Sequence, residues 1–197
     1  MPIEHHPLEP FLPSNGRVLM LGSFPPQKKR WCKDFEFYYP NFTNDMWRVF
    51  GLVFFSDALH FINSEKKTYR KEQIIAFLRI KGIALYDTAC AIRRLNDNAS
   101  DKFLEVVEQT DIESLLVKMP LCTTIVTTGQ KASDTICERF MIAKPKVGSY
   151  TDTIVTLPDG QQRPIRLYRM PSTSRAYPLP LQKKAEAYKH LFSSIFK

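Results

Sequence analysis

The chain carries the stretch VLMLGSFPP at residues 18–26, and this stretch decides how the rest of the sequence is interpreted. Its first four residues, Val18 to Leu21, form a continuous apolar run, as strands buried on both faces of a sheet do. The run stops at Gly22 and Ser23, and two prolines follow within three residues. Open α/β folds bind ligands where such buried strands end, so the stretch predicts a ligand site at a sheet edge.

The loop after this strand is long, basic and aromatic. It spans residues 22–43, and loops of this length in a compact domain are usually functional or disordered. Its cations and rings are Lys28, Lys29, Arg30, Trp31, Phe37, Tyr38 and Tyr39. Basic residues beside rings that can stack favour a nucleic-acid base as the ligand. Asn44 follows the loop and can cap a helix that carries Trp47.

Strands alternate with helices along the chain, which predicts a parallel sheet with helices on both faces. The length of 197 residues suits one domain. We predict residues 1–16 as an irregular arm and residues 93–101 as a charged, turn-rich loop. Asp159-Gly160 predicts a hairpin between the last two strands. The predicted strands are 17–21, 82–87, 123–128, 151–156 and 165–169, and the predicted helices after the Trp47 helix are 71–81, 112–118, 131–140 and 181–195.

Four of these strands end in small, polar or proline residues. The ends are Gly22-Ser23, Asp87-Thr88, Thr128-Gly129 and Pro171-Ser172. Since the carboxyl ends of parallel strands share one edge of the sheet, we expect these groups to converge on one pocket.

The composition indicates which partners, metals and cellular locations are compatible with the chain. The chain has 28 Lys+Arg against 20 Asp+Glu, which gives a net charge of +8. This charge is equally compatible with a protein that binds an anionic partner such as nucleic acid and with a soluble protein that is merely basic. The four cysteines form no Cys-x-x-Cys pair, so we expect reduced thiols and no metal. No apolar run approaches the ~20 residues of a membrane span, and no signal-peptide pattern is present. A cytoplasmic location without membrane contact is the expectation.

Each candidate residue also has a purely structural interpretation. Asn44 can be a helix cap, and Asp87, Ser172 and Ser174 can cap turns. Arg175, Lys183 and Lys184 can form a solvated face. The four histidines give no nucleophile–base pattern with a serine or cysteine, so a hydrolase triad is not supported.

The order and spacing of the motifs are more specific than any single residue. Leu-Gly-Ser-Phe-Pro at 21–25, Tyr-Tyr at 38–39, Asn-x-x-Trp at 44–47, Leu-Tyr-Asp at 85–87 and Pro-Ser-Thr-Ser at 171–174 resemble the uracil-DNA glycosylase superfamily. The chain looks most like the branch that excises hypoxanthine or mismatched uracil, and the resemblance runs from about Phe11 to Phe192. It implies a three-layer α/β/α fold around a four-stranded, mainly parallel sheet. It also implies a monofunctional DNA glycosylase, a monomer without cofactor or metal, that hydrolyses the N-glycosidic bond of a deaminated base flipped out of DNA.

The resemblance assigns roles to individual positions. Phe24 stands where many members have a catalytic Asp or Asn, and Met170 stands where many have a histidine. Asn44 matches the asparagine implicated in catalysis in the hypoxanthine branch, Tyr39 matches the ring that stacks on the base, and Asp87 matches the position that reads the base edge. The implied substrate-binding residues are Gly22, Ser23, Phe24, Pro25, Tyr39, Asp87 and Ser172. The candidate DNA-binding residues are Lys28, Lys29, Arg30, Ser174, Arg175, Lys183 and Lys184.

Two alternatives from other classes stay open at this point. Phe24 and Met170 both favour a non-catalytic nucleic-acid-binding module on the same fold. An unrelated α/β enzyme could instead bind a small anionic metabolite, such as a nucleotide or sugar phosphate, at the same strand edge.

Overall fold

A five-stranded sheet forms the centre of the structure, a computed structural model that describes residues 2–95 and 103–196. In chain order the strands are β1 (Glu4–His5), β2 (Val18–Gly22), β3 (Ile62–Asn63), β4 (Thr68–Tyr69), β5 (Ile83–Asp87), β6 (Ala89–Arg94), β7 (Leu104–Gln109), β8 (Thr124–Thr128), β9 (Ser149–Thr156) and β10 (Gln162–Met170). The helices are α1 (Met46–Phe55), α2 (Lys71–Lys81), α3 (Ile112–Val117), α4 (Gln130–Arg139) and α5 (Leu181–Ile195).

The central sheet has the order β5-β2-β8-β10-β9. Strands β5, β2, β8 and β10 are parallel, and β9 pairs antiparallel with β10 at the edge. The expected three-layer, mainly parallel α/β/α fold is therefore confirmed, and the sheet has one strand more than the expected four. The extra strand is β9, which the predicted hairpin at Asp159-Gly160 joins to β10.

Helices cover both faces of this sheet, as is usual for a parallel sheet, whose two faces are both buried. Helices α1, α2 and α5 pack together through aromatic rings, with Phe50 lying 6.0 Å from Phe77 and 5.3 Å from Phe192 between ring centroids. Helices α3 and α4 are joined by an ion pair between Glu113 and Arg139. The four residues Val18 to Leu21 of β2 are completely buried, as their apolar run predicts.

A second, three-stranded sheet lies beside the first and was not predicted. Its order is β1-β6-β7, and β1 belongs to the arm that the sequence predicts to be irregular. The arm also reaches the central sheet, where Phe11 forms a bridge with Leu85. Arg93 and Arg94, predicted in a loop, lie in β6, while residues 96–101 of that loop fall outside the described residues.

Two helices begin and end at the predicted residues, while α3 and α4 differ from their predicted bounds by one residue. Helices α2 and α5 have the predicted bounds, and α2 ends at Gly82, whose φ of 65° is a conformation that glycine adopts without strain. Among the described residues, the helices are all too short or too polar to cross a lipid bilayer.

Candidate functional site

A cavity of about 620 Å³ opens at the carboxyl edge of the central sheet. Its volume lies within the range of small-molecule sites. The strand ends Gly22, Asp87, Thr128 and Ser172 all line it, so the four ends converge as their sequence pattern predicts. Tyr39, Asn44 and the remaining predicted substrate-binding residues, Ser23, Phe24 and Pro25, line the same cavity.

Asp87 lines this cavity with its side chain only 10% exposed. Its Oδ2 lies 2.9 Å from Nε2 of His6, a residue 81 positions earlier in the chain. The hydroxyl of Thr110 donates to the Asp87 backbone carbonyl at 2.7 Å, which fixes the strand end. Asp87 is therefore held by side chains from two other segments, and its carboxylate accepts no backbone N–H from the residues that the structure describes.

Gly22 is required for Asp87 to occupy this place. A Cβ at position 22 would stand 2.3 Å from Oδ1 of Asp87, far inside van der Waals contact. The small residue at the end of β2 thus makes room for the carboxylate at the end of the neighbouring β5. This steric fit links two motifs that lie far apart in the sequence.

Tyr39 contributes an aromatic wall. Its hydroxyl is within 3.2 Å of the Thr128 hydroxyl, and its ring lies edge-on to Trp47 at 5.9 Å between centroids. Burial raises the pKa of Tyr39, so its hydroxyl keeps its proton in neutral solution. The backbone of Tyr39 has a φ of 52°, a left-handed conformation that costs energy for a residue with a side chain and is frequent at functional sites.

Asn44 lies at the start of α1 with its amide oriented by the helix. Its Oδ1 accepts a hydrogen bond from the Met46 N–H at 2.9 Å, and its backbone bridges to Ser174 of the segment after β10. Its Nδ2 has no partner among the described residues. The N-cap of α1 is Asp45, so Asn44 instead forms a turn that leads into the helix. This turn occupies its side-chain oxygen, and Asn44 lines the cavity.

Asp45 connects the wall around Asn44 to helix α5. Its side chain is 8% exposed, and its carboxylate bonds to Arg175 through Oδ1 and to Lys184 through Oδ2, each at 3.1 Å. The Lys184 ammonium also donates to the Ser174 carbonyl at 2.8 Å. Since Lys184 is 1% exposed and its ammonium bonds within the protein, the prediction that it binds DNA phosphate is wrong, and Lys184 instead anchors the segment after β10.

Phe24 is the position where the resemblance leads one to expect a catalytic Asp or Asn. Its ring is buried in a small cluster with Ala89, Ile92 and Leu104, which joins the second sheet to the cavity. It also lies 5.3 Å from the His6 ring in an edge-to-face arrangement. Phe24 therefore lines the cavity as a packing residue and brings no polar group to it.

The remaining predicted DNA-binding residues lie around the cavity mouth or further out. Lys28, Lys29 and Arg30 form an exposed 3₁₀ turn shortly after Pro25 and Pro26, which line the cavity. Ser174 lines the cavity and its neighbour Arg175 is 53% exposed, while Lys183 is exposed on α5 and pairs with Glu186. The oxygens of Ser172 and Ser174 accept backbone N–H groups two residues further on.

Three charged or titratable residues at or beside the site, His6, Arg94 and Arg169, are absent from the sequence-based set. His6 contacts Asp87, while Arg94 and Arg169 line the cavity, and Arg94 donates to the carbonyl of Pro25 at 2.7 Å. Each depends on a partner that is distant in the chain, so no local motif marks it. In the described part of the chain, no three metal-ligating side chains come together.

Comparisons with known proteins bear on the fold. No protein-family profile and no curated protein matches the chain. The structure is similar to the solution NMR structure of a candidate uracil DNA glycosylase from Methanosarcina acetivorans, with 21% identical residues and a TM-score of 0.58. The match covers 96% of this chain and 99% of the other. At this level of identity, the similarity shows that the two proteins share a fold along nearly their whole lengths.

Proposed function

We propose that this protein is a DNA glycosylase that hydrolyses the N-glycosidic bond of a deaminated base, hypoxanthine or mismatched uracil, after the nucleotide has been flipped out of DNA. The observation that carries the proposal is the convergence of Tyr39, Asn44 and Asp87 on one cavity at the carboxyl edge of the sheet. The fold shared with a candidate uracil DNA glycosylase supports the same class of activity.

The cavity suits an extruded base. A base leaves the stack at a cost of a few kcal/mol, and the enzyme must supply a pocket that compensates for it. The Tyr39 ring offers a stacking face, which contributes roughly 1–3 kcal/mol per base in single-strand binders. Asp87 offers a carboxylate oxygen to the polar edge of the base. The exposed cations Lys28 and Arg30 suit contacts to phosphates on either side of it.

Asn44 is the proposed catalytic residue. As the bond breaks, the sugar becomes oxocarbenium-like and negative charge develops on the departing base, so a positioned donor lowers the barrier. The Asn44 amide N–H₂ group, oriented by the bond from Met46 to Oδ1, is such a donor for the base or for the attacking water. An amide does not titrate, so Asn44 stabilises charge and does not remove a proton. Because Phe24 replaces the usual acid or amide, the proposed turnover is modest.

The direct test is incubation of the protein with duplexes that carry one uracil or one hypoxanthine, followed by alkali, which cleaves the strand at an abasic site. Cleavage at either lesion is expected, with none in an undamaged duplex. An intact strand with both lesions would overturn the glycosylase proposal.

Asn44→Ala tests the role of the amide. We expect cleavage to fall by roughly 10²–10³-fold, as for loss of one oriented donor, while DNA affinity stays nearly unchanged. The matched control is Asn41→Ala, since Asn41 also lines the cavity and its side chain likewise accepts a local N–H, that of Thr43. Equal cleavage by the two variants would remove Asn44 from the catalytic role.

Phe24 and Met170 favour a second candidate function, a DNA-binding module without catalysis. That function predicts strongly salt-dependent binding to the same duplexes with no abasic product.

A further inference from the structure

His6 is a buried histidine that the proposed mechanism has not yet used. Its side chain is 2% exposed and is surrounded by the rings of Phe24, Tyr38 and Tyr86, at 5.3, 6.3 and 4.6 Å between centroids. A buried polar ring is costly unless its nitrogens are bonded. Both nitrogens of His6 are bonded, and one of the partners is Asp87.

The contacts of His6 restrict where protons can be. Nδ1 lies 2.7 Å from the Leu8 carbonyl, which can only accept, so Nδ1 carries a hydrogen in that contact. A proton must then lie between Nε2 and Oδ2 of Asp87, because two lone pairs would otherwise face each other at 2.9 Å. If the Leu8 N–H, 3.2 Å away, donates to Nδ1 instead, Nε2 carries the hydrogen and again donates to Oδ2.

The other oxygen of Asp87 is left for the cavity. Oδ1 lies against Gly22 and has no hydrogen-bond partner among the described residues. Every fully buried side-chain nitrogen or oxygen among those residues has a hydrogen-bond partner. Because Oδ1 has none, it is not fully buried, and solvent reaches it through the cavity that Asp87 lines. In each of these arrangements, the proton shared by His6 and Asp87 lies between Nε2 and Oδ2. Oδ1 therefore carries no hydrogen and can only accept a hydrogen bond.

We infer that His6 is a positioning and specificity residue, which holds Asp87 so that the cavity accepts bases with a ring N–H on their pairing edge and rejects bases whose ring nitrogen there carries a lone pair. Uracil and hypoxanthine carry a ring N–H at the position where cytosine and adenine carry an unprotonated nitrogen. Oδ1 would accept a hydrogen bond from the ring N–H of uracil or hypoxanthine. With cytosine or adenine it would face the lone pair of the ring nitrogen. The inference rests on the proposed glycosylase function and explains how such a site distinguishes a deaminated base from its parent.

The experiment compares His6→Ala with His5→Ala, a control at the neighbouring exposed histidine. Single-turnover cleavage is measured on duplexes that carry uracil, hypoxanthine, cytosine or adenine at one position. His6→Ala is expected to lower the rate on the preferred lesion by about 10–100-fold, the size of a hydrogen bond to a charged group, and to reduce the preference over the parent base. His5→Ala is expected to behave as the wild type.

Two further variants separate positioning from a merely structural role. His6→Gln retains a side-chain N–H that can donate to Oδ2 and is expected to restore most of the rate and the preference. In an Asp87→Ala background, His6→Ala should cause no further loss of cleavage, because its effect passes through Asp87. A general loss of packing would add to the Asp87→Ala effect and would not be rescued by glutamine.

The outcomes separate this inference from the proposed function. A wild-type protein that cleaves no lesion overturns the proposed function, and the base-reading role of His6 with it. An active wild-type protein whose His6→Ala and His5→Ala variants have equal rates and preferences overturns the inference alone. Additive effects of His6→Ala and Asp87→Ala do the same.

Discussion

Two buried carboxylates lie beside the cavity, and they differ in how many of their oxygens the protein itself uses. Asp45 and Asp87 are 6% and 7% exposed. Both oxygens of Asp45 are paired with cations, Oδ1 with Arg175 and Oδ2 with Lys184. Within residues 2–95 and 103–196, the Asp87 carboxylate has one partner, His6, at Oδ2.

The difference separates a structural acid from an acid available to a ligand. Asp45 is fully satisfied inside the protein and links α1 to α5 and to the segment after β10, so it stabilises the wall that carries Asn44. Asp87 is oriented on one side and open on the other, which is the arrangement a binding group needs. A buried carboxylate by itself therefore does not indicate a ligand-binding site. The indication is a carboxylate oxygen that the protein leaves without a hydrogen-bond partner.

The largest expected effect on stability comes from removing a partner of Asp45. Lys184→Ala leaves Asp45 buried with only the half-exposed Arg175, so we expect a loss of about 3–5 kcal/mol in the free energy of unfolding. Lys183→Ala is the matched control, because Lys183 is the adjacent, exposed lysine, and we expect it to change stability by no more than about 0.5 kcal/mol. Urea denaturation measures both. Similar losses in the two variants would contradict the structural role of Asp45.

Gly22→Ala tests the packing around Asp87. The added Cβ would meet Oδ1 at 2.3 Å and force Asp87 away from its place, at a cost of about 1–3 kcal/mol. The same substitution in an Asp87→Ala background should cost clearly less, because the clashing atom is gone. A double-mutant cycle by urea denaturation gives the coupling, and a coupling near zero would show that Gly22 does not make room for Asp87.

Alkaline pH should act on the tyrosines around Asp87. Burial raises the pKa of Tyr38, Tyr39 and Tyr86, and the charge of Asp87 raises it further in all three. In the unfolded chain these groups lose their protons near pH 10, while the folded protein keeps them, so stability should fall as the pH rises above about 10. Each such tyrosine contributes up to about 1.4 kcal/mol per pH unit.

Tyr86→Phe provides the check on that pH dependence. Its free energy of unfolding, measured by urea denaturation from neutral to alkaline pH, should fall less steeply than that of the wild type. An unchanged slope would show that Tyr86 ionises equally in both states.

The smallest expected effect is at Arg175, the exposed partner of Asp45. Since Arg175 is 53% exposed and Lys184 remains, Arg175→Ala should cost at most about 1 kcal/mol in urea denaturation. If Arg175 contacts a phosphate in the proposed DNA complex, the slope of log affinity against log salt should also decrease by about 1. An unchanged salt slope would restrict Arg175 to its pairing with Asp45.

Much of the fold follows from local patterns. The buried run of β2, the bounds of α2 and α5, and the Asp-Gly hairpin are all visible in short windows, because apolar periodicity and turn chemistry act between near neighbours. The sequence does not predict the second sheet, because its edge strand β1 lies in the N-terminal arm, whose residues carry no strand pattern of their own, and pairs with β6, which is remote from it in the chain.

For the site, the sequence by itself determined which groups stand at the strand ends and therefore that these ends meet at the cavity. Only the tertiary structure decided what each group does there. It buried Lys184 against Asp45 and left the adjacent Lys183 in solvent, and it brought His6 across 81 residues onto Asp87. The physical reason is that strand ends are positioned by backbone pairing, which local sequence encodes, whereas the pairing of buried charges depends on contacts between segments that are remote in the chain.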